Sequence, residues 1–158
     1  YGLFACSGIL FNHSHPYGKR GHSFFTRKLT SSIAAIKVGK QTNMLAGDLT
    51  TFRDEGCSLD YTKGMHLMLQ LEKPDDFVMS MGEGMTMREM LEYVCSLADL
   101  NPDDVYKLDS RFLRPSEVNK LLGDSSKFRA LGWTPEWDLK SLLKGMYEHD
   151  LVIAKGGA

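Results

Sequence analysis

Apolar and polar positions alternate along this chain in blocks, and the blocks predict strands and helices in turn. Leu3 to Phe11 is an almost continuous apolar run, read as a buried strand weakened by Gly8, and residues 12–22 follow as a polar loop. Phe25, Leu29, Ile33 and Ile36 then recur at helical spacing, predicting a helix over 24–38 that Ser23 caps and Gly39 stops. A short strand is expected over 42–45 and a loop over 47–56. A helix over 59–71 would bury Met65, Met68 and Leu69 and end at Lys73-Pro74. Phe77 to Met81 reads as a strand. Thr86-Met-Arg-Glu89 has capping-box spacing and opens a helix with Met87, Met90, Leu91, Val94 and Leu97 on one face. Asn101 to Asp104 is a turn, 105–108 a strand, 111–122 mixed loop and turn, and 125–131 a short helix broken by Gly132-Trp-Thr-Pro135. Asp138 caps a last helix whose Leu139, Leu142, Leu143, Met146 and Ile153 face inward, before a frayed Gly156-Gly-Ala158 tail.

Strands alternating with helices point to an α/β architecture. At 158 residues the chain is one domain, or one domain with a small lobe, and is long enough for a real core. A net charge of −1 gives no bulk basic field for nucleic acid or a membrane surface, so any cationic site is local. Three widely spaced cysteines, Cys6, Cys57 and Cys95, argue against a disulfide scaffold and for a reducing compartment. The apolar run near the start is too short to span a bilayer and lacks a cationic leader, so a soluble, cytoplasmic protein is expected.

The chemistry concentrates where the first strand ends. Ligands of open α/β sheets lie outside the carboxyl ends of strands, and here the apolar run passes into Asn12-His13. A basic, Gly-containing loop (residues 17–21) follows, and the next helix carries Thr26-Arg27-Lys28 in its first turns. A lysine there opposes the helix dipole unless an anion sits at the same end. Lys28, Arg53 and Arg114 lie on separate segments, and together they suit a diphosphate, each charge-assisted contact being worth about 1.5–3 kcal/mol before desolvation. Arg53-Asp54 also reads as a structural ion pair. Arg114 and Glu117 read as a surface pair three residues apart, or as a phosphate donor beside a carboxylate that accepts from sugar hydroxyls. His13-x-His15, with His22 nearby, has no carboxylate or Cys to complete a metal site. Neither a Gly-x-Gly-x-x-Gly loop nor a Tyr-x-x-x-Lys pair is present.

Several motifs in this chain carry a family resemblance. Gly8-Ile-Leu-Phe-Asn-His13, Phe24-Phe-Thr-Arg-Lys28, Arg53-Asp54 with Asp60-Tyr61, Arg114-Pro-Ser-Glu-Val118 and Leu131-Gly-Trp-Thr-Pro135 resemble the GDP-mannose 4,6-dehydratases. The resemblance covers nearly the whole chain but only the carboxyl-terminal half of a usual member. It implies the carboxyl-terminal part of an NAD(P)-binding, Rossmann-like extended short-chain dehydrogenase fold with a small α/β substrate-binding lobe. The cofactor-binding half and its catalytic residues would precede residue 1, leaving no catalytic residue here. It implies GDP-mannose as substrate, NADP as cofactor, and a dimer or tetramer, or an amino-terminal half, as partner. It implies that Asn12, Lys28, Arg53 and Arg114 hold the diphosphate, Glu117 the ribose, and Leu45 and Gly47 the guanine. His13 would lie by the nicotinamide and Arg20 would reach a neighbouring subunit's cofactor. Two other readings stand beside this one: a non-catalytic nucleotide-sugar-binding module, and a related GDP-sugar reductase or epimerase.

Overall fold

The computed structural model describes residues 2–17, 21, 23–113 and 116–157. Two short strands in tandem, β1 (Ser7–Leu10) and β2 (Asn12–Ser14), lead to helix α1 (Phe25–Lys37). Then come β3 (Met44–Ala46), β4 (Phe52–Arg53), β5 (Glu55–Cys57), α2 (Ser58–Met68), β6 (Asp76–Met79), β7 (Met85–Thr86) and α3 (Met87–Leu97). The chain continues through α4 (Pro102–Val105), β8 (Tyr106–Leu108), a 3-10 turn (Ser110–Phe112), β9 (Lys120–Leu121), α5 (Ser126–Arg129) and α6 (Leu139–Ala154).

The expected α/β alternation is present, built from small parallel units. β1 pairs with β6, β2 with β5 and β3 with β8, all parallel. β4 is the centre of a three-stranded patch, antiparallel to β7 and parallel to β9. Two hydrophobic clusters fill the interior. Leu29, Ile33, Leu91, Val94, Leu142 and Leu143 join α1, α3 and α6, while Tyr61, Phe77, Met79, Phe128 and Trp133 form the second. Across the α1–α6 contact the Arg27 guanidinium and the Asp150 carboxylate form a buried ion pair, and Thr30 Oγ1 donates to the same carboxylate at 2.7 Å.

Local signals placed several boundaries correctly. Thr86 and Glu89 form the capping box of α3, Asp138 accepts from the Ser141 amide at the start of α6, and Gly39, at φ +75°, lies just past α1. Other expectations are corrected. Phe24, not Ser23, is the N-cap of α1, and no side chain caps that end. The apolar run near the start is not one buried strand: Phe11 separates β1 from β2 by donating its amide to the Met79 carbonyl, and Ile9 is 56% exposed. The 47–56 loop contains β4 and β5. Helix α2 ends at Met68, well before Lys73-Pro74, and of the three residues expected to be buried only Met68 is, while Met65 and Leu69 are exposed. Residues 102–105 are a helical turn before β8, and Ile153 lies on the outer side of α6.

Candidate functional site: a cavity between the ends of β2, β3 and β4

Residues from several separate segments line one cavity. β2 delivers Asn12, the first turns of α1 deliver Thr26 and Lys28, the segment after β3 delivers Gly47 and Asp48, and β4–β5 delivers Arg53 and Glu55. Glu117 closes one side, and Phe24, Met87, Phe112 and Leu113 form an apolar wall. The cavity measures about 510 Å³, ample for a nucleotide-sized ligand.

Arg53 and Glu55 face the cavity because they are two residues apart on extended chain, and Asp54 between them points the other way. The alternative reading of Arg53 and Asp54 as an ion pair with each other does not hold. Arg53 Nη2 donates to Glu117 Oε1 at 2.6 Å, and Nη1 donates to the carbonyls of Phe52 and Val118. Asp54 is fully buried and accepts backbone amides from Met81, Gly82 and Gly123, so it joins three loops behind the site. The Glu117 carboxylate reaches across to Arg53 from 64 residues away, while its expected pairing with Arg114 lies outside the described residues.

Lys28 lies in the first turns of α1 as expected, with Nζ 3.5 Å from the centre of the Phe112 ring and 3.4 Å from the Leu45 carbonyl. Partial burial lowers its pKa, and the charge of Asp109 opposes that shift. Leu45 itself is off the cavity wall. In β3 the side chains of Met44 and Ala46 turn inward and that of Leu45 turns out, 38% exposed, while its carbonyl accepts from Lys28 Nζ. Gly47 does line the cavity, and the Phe112 carbonyl packs so closely that a Cβ at residue 47 would lie 2.5 Å from it.

His13 is behind Asn12, outside the cavity lining. Its Nδ1 lies 2.8 Å from the Phe11 carbonyl, and its ring stacks on Tyr61 at 5.1 Å between centroids. Burial, and then the nearby charges of Asp54 and Glu55, push the Tyr61 phenol well above its usual pKa. The neighbouring Asp60 holds the 133–137 segment, accepting from Trp133 Nε1 with its carbonyl and from the Trp137 amide with its carboxylate. That contact gives a structural reason for the Asp-Tyr and Trp-Thr-Pro motifs. Arg20 and Arg114 lie outside the described residues, so two of the three expected phosphate-seeking cations, Lys28 and Arg53, are seen on one cavity.

Sequence reasoning missed Glu55. Its buried side chain accepts from Ser14 Oγ at 2.5 Å and Thr26 Oγ1 at 3.0 Å, which ties β5 to the end of β2 and the first turn of α1. The signal was available in the Arg53-x-Glu55 spacing, but only if the segment was read as extended. Among the described residues no cluster of His, Cys, Asp and Glu is arranged to hold a metal ion, and no helix is long and apolar enough to cross a membrane. The three cysteines are free thiols.

Comparison with solved structures finds the same fold in about half of several longer chains. RMD from Pseudomonas aeruginosa complexed with NADPH superposes with a TM-score of 0.85 at 22% identity, over 96% of this chain and 50% of that one. The UDP-glucose 4-epimerase of Thermus thermophilus, complexed with NAD, gives 0.74 at 22% identity, over 95% and 47%. Among curated proteins, GDP-mannose 4,6 dehydratase 2 of Arabidopsis thaliana is 47% identical over 98% of this chain and 41% of its own length. The GDP-mannose 4,6-dehydratase of Vibrio cholerae is 35% identical over 98% of this chain and 49% of its own. The chain thus spans about half the length of the curated relatives it matches. The model of the GDP-mannose 4,6 dehydratase family matches residues 1–146, and the chain belongs to that family.

Proposed function

We propose that this chain is the nucleotide-sugar-binding half of a GDP-mannose 4,6-dehydratase, and that GDP-mannose occupies the cavity between β2, β3 and β4. The observation that carries the proposal is convergence. Asn12, Lys28, Gly47, Arg53 and Glu117 come from five separate segments and line one cavity, in a chain that belongs to this family. Lys28, Arg53 and Asn12 hold the diphosphate, joined by Arg114. Glu117 accepts from the ribose hydroxyls. The guanine lies along Gly47 against the apolar wall of Phe112 and Leu113, with Leu45 supporting that strand through its backbone.

In the reaction so assigned, bound NADP supplies storage for the hydride taken from C4 of the hexose until it returns at C6. The chain's own part is to bind and orient. His13 faces the cofactor side, with its ring held between the Phe11 carbonyl and Tyr61, and Arg20 reaches a neighbouring cofactor. The groups that move protons belong to an amino-terminal half, supplied in the same polypeptide or by a partner, and the working form is a cytoplasmic dimer or tetramer.

Binding tests this directly. Isothermal titration of the chain should show uptake of GDP and GDP-mannose. Arg53→Gln should weaken GDP about 10- to 100-fold, the loss of one charge-assisted contact. A folded chain that binds neither ligand at millimolar concentration refutes the proposal.

A further inference from the structure

We infer that Asp150, on the last helix, is a positioning residue for the nucleotide site: acting through Arg27, it sets the rotation of α1 and so aims Lys28 into the cavity. The inference rests on the nucleotide-diphosphate reading of the cavity and extends it to a residue outside the lining.

Arg27 and Thr30 are three residues apart and share one face of α1. Both are buried against α6, where the Asp150 carboxylate accepts from the Arg27 guanidinium on Oδ1 and from the Thr30 hydroxyl on Oδ2 at 2.7 Å. Thr26 and Lys28, on either side of Arg27 in the chain, line the cavity instead. One turn of helix therefore faces two ways. On the cavity side Thr26 Oγ1 is hydrogen-bonded to Ser14 and Glu55, and on the other side Arg27 is bonded to Asp150. No side chain caps this end of the helix. A single anchor lets the first turn pivot, whereas two on different faces fix it. A pivot of about 20° moves a side-chain tip at a radius of roughly 5–6 Å by about 2 Å, enough to take a lysine out of hydrogen-bond range of an anion.

The pair is poorly built for stability alone. Arg27 Nε is buried with no hydrogen-bond partner. Desolvating two charges and stranding an N–H is costly, and buried pairs of this kind are often replaced by apolar side chains of similar volume with no loss of stability. What apolar side chains do not supply is direction. A carboxylate that takes a guanidinium on one oxygen and a hydroxyl on the other is satisfied at one rotation of α1 against α6.

Titration of GDP into the chain and two variants, with thermal melting of each, separates aim from stability. Arg27→Met combined with Asp150→Leu fills the contact without charge. It should melt close to the parent yet bind GDP about tenfold or more weakly, the loss of one charge-assisted contact. Asp150→Asn keeps an acceptor for Arg27 and a polar partner for Thr30 but loses the charge. It should melt earlier than the parent and still hold GDP nearly as tightly. If the apolar double variant binds GDP as tightly as the parent, Asp150 stabilises without aiming and the positioning role is overturned. If the double variant does not fold, the pair is needed for the fold itself, and the role is overturned likewise. If Asp150→Asn loses as much affinity as the double variant, direction is not what Asp150 supplies. In all three cases GDP binding by the parent leaves the nucleotide site standing. If the parent binds no GDP, the site reading falls and this inference with it.

Discussion

Asp54→Asn is a conservative change with a severe expected cost. The parent carboxylate is fully buried and accepts three backbone amides: Met81 at 2.9 Å on Oδ1, and Gly82 at 2.9 Å and Gly123 at 3.2 Å on Oδ2. An asparagine has one acceptor oxygen. Placed toward Gly82 and Gly123, it keeps two contacts in weaker, uncharged form and turns its NH2 group against the Met81 amide, donor against donor. Losing one charge-assisted hydrogen bond costs about 1.5–3 kcal/mol, and stranding a buried N–H costs about 1–3 kcal/mol. The sum, about 2.5–6 kcal/mol, is a large share of the roughly 5–15 kcal/mol that holds a typical domain together. Urea unfolding followed by the fluorescence of Trp133, which is buried beside Tyr61, gives the number. Asp54→Ala should cost at least as much, since all three amides then lose their acceptor. A loss below about 1 kcal/mol for Asp54→Asn would show that water or a backbone shift satisfies these amides, and would refute the view that this carboxylate holds the three loops together.

Two further outcomes follow from single contacts. Gly47→Ala brings a Cβ to 2.5 Å from the Phe112 carbonyl, which is backbone and must move, so it should cost about 1–3 kcal/mol in urea and weaken GDP binding as the 110–112 turn shifts. The Asp138 carboxyl is held below the usual range, chiefly by the Ser141 amide. A depressed folded-state pKa gives stability that is fully present above the unfolded value of about 4 and is lost as pH falls through the lower folded value. Asp138→Asn keeps a cap without this titration, so the melting temperatures of parent and variant should differ at pH 6 and converge toward pH 3.

What the sequence made legible was mostly local. Thr86 and Glu89 are three residues apart and meet within one turn, and Asp138 reaches Ser141 over the same span, so spacing alone predicts both caps. Gly39 is legible because a positive φ past a helix end favours glycine. The β4–β5 segment is different. Its strands are two and three residues long, and β4 pairs with residues 85–86 and 120–121, so no period within the segment announces it. The same distance hid the Arg53–Glu117 and Asp54 contacts and made an Arg53–Asp54 pair look natural. Among site residues, family motifs named Asn12, Lys28, Arg53 and Glu117, and these line the cavity together with Gly47, while the alternation of β3 turns the Leu45 side chain outward. Glu55 escaped because an acidic residue in an expected loop reads as solvated, and its partners Ser14 and Thr26 are 41 and 29 residues away.

The long reach of these contacts has a kinetic side. The cavity walls run from Asn12 to Glu117 and are joined by pairings such as β2–β5 and β4–β9 that span tens of residues. Contacts of such separation require large loops to close first, and form late when folding proceeds through local structure. A chain with helices formed but these ladders open has Arg53 and Glu117 far apart and no cavity at all. Binding at the proposed nucleotide site would therefore report completed folding rather than collapse, and GDP added during refolding should raise the yield of native chain by drawing the last step forward.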